Sequence, residues 1–255
     1  MNKFAIACIV SLATFFNPFS AKADNIAYMG ENNGDFGTID LDSGAFSLLG
    51  NSGQTLAGMA VADATLFATS YHLATGTLFS VNPANGSLST IGTSSIDYDD
   101  FGSTTDGLFA EGFDENLYSI NPTTGAATLI GPTGLTFGSW RSLSTNSSTL
   151  YFANGPNLYT LNTTTGAPTL IGGTGGAQMG ALLVEGGILY GGENTPSLSV
   201  DSLNPSTGAA TTVHSVSGAS STFFALAPNP IPSPEPATLG CILGGAWLLA
   251  GRRRG

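Results

Sequence analysis

"LYSINPTTGAATLIGPTG" occupies residues 117–134, and "LYTLNTTTGAPTLIGGTG" occupies 158–175. A looser version, "LFSVNPANGSLSTIGTSS", fills 78–95. Each places an Asn four residues ahead of a Gly, with short apolar runs on either side. Anchored on that glycine, the chain holds five copies, at Gly44, Gly86, Gly125, Gly166 and Gly208, spaced by 42, 39, 41 and 42 residues. Asp40, Asn82, Asn121, Asn162 and Asn204 stand four residues ahead, and Pro83, Pro122 and Pro205 follow three of them. An Asn or Asp side chain accepts a hydrogen bond from the backbone two residues on. Proline presets φ for the next turn position, and glycine takes the left-handed conformation that closes a hairpin. Each copy therefore reads as a hairpin, with strands such as "NLYSI" and "AATLIG".

The material between hairpins repeats as well. "TLFATS" (65–70), "GLFAEG" (107–112), "TLYFAN" (149–154) and "ILYGGEN" (188–194) read as one further strand per unit. "GMAVAD" (58–63), "GSTTD" (102–106), "RSLST" (141–145) and "GALLVE" (180–185) read as another. Helical periodicity is absent, and Gly and Pro punctuate the chain about every ten residues. Four short strands in about 41 residues is the mark of a propeller blade. The ends match too. "NIAYMGEN" (25–32) resembles "GILYGGEN", and "TFFALAP" (222–228) resembles "GMAVAD", so the two termini together complete one blade. The expected fold is all-β: a five-bladed β-propeller of four-stranded blades, closed by pairing of its N- and C-terminal strands. Closure would remove exposed sheet edges.

Outside the repeats lie two other kinds of sequence. Residues 1–23 read as a secretory signal: Lys3, the apolar run "FAIACIVSLATFF", and a small-x-small cleavage site at Ala21 and Ala23. The propeller domain is expected over 24–229, a Pro-rich linker over 230–236, and a short hydrophobic helix with a basic tail over 237–255. Prolines alternate at 228, 230, 232, 234 and 236, which makes an extended spacer. Residues 237–251 carry no charge and are followed by Arg252, Arg253 and Arg254. A full membrane span takes about 20 apolar residues, and flanking arginines stay cytoplasmic.

Pro234-Glu235-Pro236, the short apolar segment and the arginine cluster together resemble the PEP-CTERM sorting signal of Gram-negative bacteria. The resemblance covers about 22 residues and implies recognition by an exosortase-type sorting enzyme. It further implies an inner-membrane-anchored precursor, processing near the motif, and a final place at the cell surface or outside the cell. Members are associated with bacteria that make exopolysaccharide, so extracellular polysaccharide and biofilm enter as expected partners.

Charge narrows the options. Sixteen of the 17 acidic residues lie between 24 and 234, where Arg141 is the one base, a net charge of −15. Nucleic acid is excluded as a partner because nothing would neutralise its phosphates. Both cysteines, Cys8 and Cys241, lie in the terminal segments. The propeller domain therefore has no cysteine nucleophile and no thiolate metal site. A nucleophilic triad needs a histidine base, and the histidines are His72, in the loop insertion "SYHLATG", and His214, expected at an exposed strand end. No catalytic residue, cofactor or metal is assigned. "IDYDDF" (Asp97, Asp99, Asp100) and "EGFDEN" (Glu111, Asp114, Glu115) are expected as solvated loops, since neither has calcium-loop spacing.

Trp140 and Arg141 break the repeat. The first strands align as Ala57-Gly58, Phe101-Gly102, Trp140-Arg141, Met179-Gly180 and Phe223-Phe224, so an arginine replaces a glycine on a strand expected to line the channel. An indole beside a guanidinium suits a sugar ring or a carboxylate, which makes this pair the candidate ligand site. The plainer reading is that Trp140 packs between blades while Arg141 pairs with one of the many acids. The function expected is that of an exported binding or structural protein, not an enzyme. The alternative is a glycan-active enzyme, for which Asp63, Asp106 and Glu185 would have to converge in one pocket with Trp140.

Overall fold

The repeated turn closes in the same way five times. The amides of Gly44, Gly86, Gly125, Gly166 and Gly208 donate to the carbonyls of Asp40, Asn82, Asn121, Asn162 and Asn204 at 2.7–2.8 Å. The side-chain oxygen of each Asp or Asn accepts from the amide two residues on, at 2.8–3.0 Å. The five glycines sit at φ between 69 and 77°, where a Cβ would be strained.

These turns organise a computed structural model that describes residues 25–229, except 74, 137, 139 and 195–197 and the side chains of 223 and 224. The signal segment, the proline-rich linker with its Pro-Glu-Pro motif, and the hydrophobic tail fall outside the described residues. Within them the protein is all-β, with twenty strands. β1 (Ile26–Glu31), β2 (Asp35–Asp40) and β3 (Phe46–Asn51) form a meander. β4 (Leu56–Ala62), β5 (Thr65–Ser70), β6 (Thr77–Val81) and β7 (Leu88–Thr93) form the next. β8 (Tyr98–Thr104), β9 (Gly107–Gly112), β10 (Asn116–Ile120) and β11 (Ala127–Pro132) follow. Then come β12 (Arg141–Thr145), β13 (Leu150–Asn154), β14 (Asn157–Leu161) and β15 (Pro168–Gly173). β16 (Met179–Glu185), β17 (Ile188–Glu193), β18 (Ser199–Leu203), β19 (Ala210–Ser215) and β20 (Phe223–Pro228) end the series.

β20 completes the first meander by pairing antiparallel with β1, Ala27 opposite Pro228 and Met29 opposite Leu226. Parallel pairing of β12 with β16, at Ser144–Leu182 and Thr145–Leu183, joins two meanders into one eight-stranded sheet. The strands β20, β4, β8, β12 and β16 neighbour one another in that cyclic order. Around their common axis is a residual void of about 140 Å³ that admits no water, lined by residues of all five, among them Met59, Phe101, Leu143, Leu182 and Leu226. This is a propeller-like arrangement.

Burial falls from axis to rim. β8 is buried along its whole length, whereas β3 and β19 are mostly exposed. The core is accordingly divided into five apolar clusters, each drawing on two adjacent meanders. Phe67 of β5 and Leu78 of β6 meet Tyr98, Leu108 and Tyr118 of the following unit. Ile39 of β2 meets Leu183, Tyr190 and Val200 of the last unit in the chain. Burying each such side chain contributes about 1.5–3 kcal/mol.

At the rim the five turns recur as contacts. A Cβ on Gly50, Gly92, Gly131 or Gly172 would run into the backbone of Asn85, Thr124, Thr165 or Thr207, in the turn of the next meander. At the fifth position His214, half-buried, lies against Gly44, and Ala45 bridges Ser217 in parallel. The last turn-to-strand contact thus runs from the end of the chain back to its first hairpin.

Candidate functional site

Arg141 opens β12, and the strand before it in the cycle, β8, begins with Tyr98, Asp99 and Asp100. A bulge between Tyr98 and Asp100 shifts the β8 register against β9, so that Asp100 pairs with Glu111 and Phe101 with Ala110. β12 has Arg141 opposite Asn154 and Leu143 opposite Phe152. With these registers Arg141 reaches, through its side chain, the bulged residue Asp99. The sequence alignment placed it level with Gly102, and the structure corrects that. β8 starts earlier than "GSTTD" suggested, because its first residues are acidic and do not look like a core strand.

Of the acids expected in solvated loops, Asp114 and Glu115 do lie in the turn between β9 and β10, but Asp99, Asp100 and Glu111 are buried strand residues. Asp100 is 3% exposed and Glu111 is wholly buried. Arg141 donates from Nε to Asp99 Oδ2 at 2.6 Å and from Nη2 to Glu111 Oε2 at 2.5 Å, with its own side chain almost fully enclosed. Its guanidinium also lies 6.0 Å from the ring of Phe152. Asp100 accepts the amide of Phe101 at 2.7 Å and that of Leu143 on the neighbouring strand β12. One guanidinium binds two of three neighbouring buried carboxyls, and burial disfavours the charged form of all three. Burial raises Asp99, an effect that Arg141 partly offsets. Burial drives Asp100 well above the usual carboxyl range despite its two amide donors. Glu111 is pushed up to about 9 by burial against the opposing pull of Arg141, and its Oε1 has no hydrogen-bond partner among the described residues.

Three rings pack together beside this cluster. The insertion after β5 carries Tyr71 and His72, and Phe113 follows β9. His72 and Phe113 centroids are 4.7 Å apart, and Tyr71 and Phe113 are 6.0 Å apart. His72 Nδ1 lies 3.3 Å from Asp97 Oδ2. The Tyr71 hydroxyl is raised by burial and then by the negative charges of Asp99 and Asp97. Among the described residues, no group of three or more His, Cys, Asp and Glu is placed to hold a metal ion. The guanidinium occupies the place where the acids converge.

Of the candidate ligand pair, Arg141 is therefore turned inward onto the carboxyl groups of Asp99 and Glu111, and Trp140 is half-buried beside it. Sequence reasoning did not single out Asp99 or Glu111 as the partners. The available signal was one base among sixteen acids, which makes a buried pairing the default for that base. The three strand-end acids lie at the other end of the first strands. Asp63 and Asp106 line one cleft of about 550 Å³ together with Asn146. Glu185 is held to Asn146 at 3.4 Å and is raised by burial. Trp140, at the opposite end of β12, does not line that cleft.

No family model matches the chain, and no curated protein matches it. Among solved structures, a Bacteroides caccae protein of unknown function aligns with 82% of this chain and 100% of its own, at 11% identity and a TM-score of 0.51. A calcium-binding protein, regucalcin, from Agrobacterium tumefaciens aligns over 81% of this chain and 75% of its own, at 18% identity and TM-score 0.47. BamB from Moraxella catarrhalis aligns over 74% and 69%, at 11% identity and TM-score 0.37. Likeness at such identities concerns the fold alone.

Proposed function

We infer that this chain is an exported five-bladed β-propeller, closed by its own termini, that works at the cell surface or outside the cell by binding or as a structural component and not by catalysis. The observation that carries the reading is the filled axis. First strands of five meanders meet around a void too small for water, and the charged groups at its mouth, Arg141, Asp99 and Glu111, bind one another. A closed axis whose one base is paired within the fold suits a rigid scaffold that presents loops and clefts. The five two-meander core clusters and the five rim contacts support the blade count.

The export route rests on the sequence of the two ends. The signal segment would direct the chain across the inner membrane, and the apolar tail with Arg252, Arg253 and Arg254 would hold the precursor there. An exosortase-type enzyme would then process it near Pro234-Glu235-Pro236. Extracellular polysaccharide is the partner that this route proposes. Replacing Glu235 with Ala preserves the apolar length and the positive flank. A processed substrate would accumulate as an uncleaved membrane precursor, seen by blotting cell fractions. Equal distribution of wild type and variant between membrane and medium would overturn the sorting reading.

A further inference from the structure

Four of the five repeat turns begin with an exposed asparagine: Asn82, Asn121, Asn162 and Asn204. Pro83, Pro122 and Pro205 follow three of them, whereas Asn162 is followed by Thr163 and Thr164. Asn-x-Ser/Thr, with any residue but proline in the middle, is the acceptor pattern for N-linked sugar on surface loops of secreted proteins. Asn85-Gly86-Ser87 and Asn146-Ser147-Ser148 match the pattern too. Geometry separates the three. Asn146 has a left-handed backbone (φ 60°), and its Nδ2 donates to Val184 O at 3.0 Å and to Glu185 Oε2 at 3.4 Å. Asn85 abuts the preceding meander, where its backbone is what a Cβ on Gly50 would strike.

Asn162 is held differently. Its Oδ1 accepts from the amides of Thr164 at 2.8 Å and Thr165 at 3.0 Å. Those bonds fix the side-chain carbonyl against the turn. Its Nδ2 donates to nothing among the described residues. The residue of this turn that meets the preceding meander, at Gly131, is Thr165, so Asn162 stands clear of that contact. Beside it lies a cleft of about 350 Å³, lined by Asn162 and by Ser148, Thr149, Thr160, Thr163, Thr164 and Thr169. Thr160 and Thr169 are directly opposite in the β14–β15 ladder, which puts their side chains on one face. The hairpin over 157–173 carries no charged residue, within a span whose net charge is −15. Hydroxyls both donate and accept, and a lining of them without charge matches the chemistry of a sugar ring.

We propose that Asn162 is the acceptor of an N-linked oligosaccharide, whose first sugar settles into the hydroxyl-lined cleft beside the turn. The donor is an oligosaccharide activated on a lipid-linked diphosphate. Asn162 Nδ2 forms a bond to C1 of the sugar as the C1–O bond to the diphosphate breaks. The lipid diphosphate leaves with the electron pair, and Nδ2 gives up one proton. The proposal rests on the export reading above, since the modification belongs to secreted chains. Asn121 provides the comparison within the molecule. It is equally exposed, and its Oδ1 accepts from Thr123 at 2.9 Å and Thr124 at 3.1 Å, but Pro122 withholds it from the acceptor pattern.

The test is mass spectrometry, intact and by peptide, of the chain recovered from the membrane and medium of its native cells. Wild type should carry a sugar-mass increment on the peptide that contains Asn162. Thr164→Ala keeps Asn162 and the backbone amide that its Oδ1 accepts, so its melting curve should match wild type. It removes the hydroxyl of the acceptor pattern and should lower occupancy at least about ten-fold. Pro122→Thr makes residues 121–125 identical to 162–166 and should add a second increment, at Asn121. An unmodified mass for exported wild type overturns the proposal and leaves export standing. A chain found only inside the cell overturns the export reading and this proposal with it. Sugar mapped to serine or threonine, and unchanged in Thr164→Ala, overturns the assignment to Asn162 as well.

Discussion

Arg141 Nη2 and Glu111 Oε2 meet at 2.5 Å in a buried seam, joining the start of β12 to the end of β9. The same guanidinium reaches Asp99 of β8. One side chain thus links two successive meanders at the mouth of the axis, and it does so inside a core where neither partner is solvated. The consequences for stability are asymmetric between the partners.

Removing Arg141 strands buried carboxyls without their cation. Arg141→Ala should cost about 3–5 kcal/mol in urea unfolding, as expected for breaking a buried pair from one side. Glu111→Gln should cost about 1 kcal/mol or less, because a carboxyl raised to about 9 is mostly protonated at neutral pH and the amide has a similar shape. Equal losses in the two variants would mean that Glu111 is ionised in the folded protein.

Asp99, Asp100 and Glu111 all hold a proton more tightly folded than unfolded. Folding therefore takes up protons between the ordinary carboxyl range, about pH 4, and about pH 9. Stability from these groups is complete below the unfolded pKa and fades as pH rises through the folded one. Asp35 runs the other way, lowered chiefly by Asn51, but it is a surface group with a small share. The melting temperature should be higher at about pH 5 than at about pH 9, and Glu111→Gln should reduce the difference. An identical slope in wild type and variant would remove Glu111 from the account.

Gly92 and Gly53 separate close approach from backbone strain. A Cβ on Gly92 would collide with the Thr124 carbonyl of the next turn, whereas a Cβ on Gly53 (φ 75°) meets nothing within 4 Å. Gly92→Ala should destabilise by about 1–3 kcal/mol through overpacking. Gly53→Ala should cost about 1 kcal/mol through its left-handed backbone alone. If Gly53→Ala proves the costlier, the rim contacts between meanders matter little.

β20 joins the end of the chain to β1, so its loss should be felt across the whole domain. A chain stopped after Thr222 leaves β1 and the inner faces of β4 and β16 uncovered. It should express insolubly or melt without cooperativity by calorimetry. A sharp, native-like transition from that truncation would refute closure by the terminal strand.

The strands were legible because their rules are local. Asn121 and Gly125 declare their turn within five residues, and β5, β9 and β12 coincide with the runs read from sequence at 65–70, 107–112 and 141–145. β8 was misread because Asp99 and Asp100 break the apolar pattern of a core strand. They are tolerated there because an arginine some forty residues later and two backbone amides supply what water otherwise would.

Sequence by itself determined the hairpins, their period, and the matching of residues 25–32 and 222–228 to repeat strands. Turn geometry and side-chain alternation act over a few residues, and similar units fold alike. Only the tertiary structure decided which carboxyls are buried and which hold Arg141. Those outcomes depend on the register between strands of different meanders. A single bulge at the start of β8 leaves Asp99 without a β9 partner, where it accepts from Arg141, while Asp100 accepts from Leu143. The energy of a charged group is set by the dielectric and the partners that such packing delivers, and neither is a property of the local sequence.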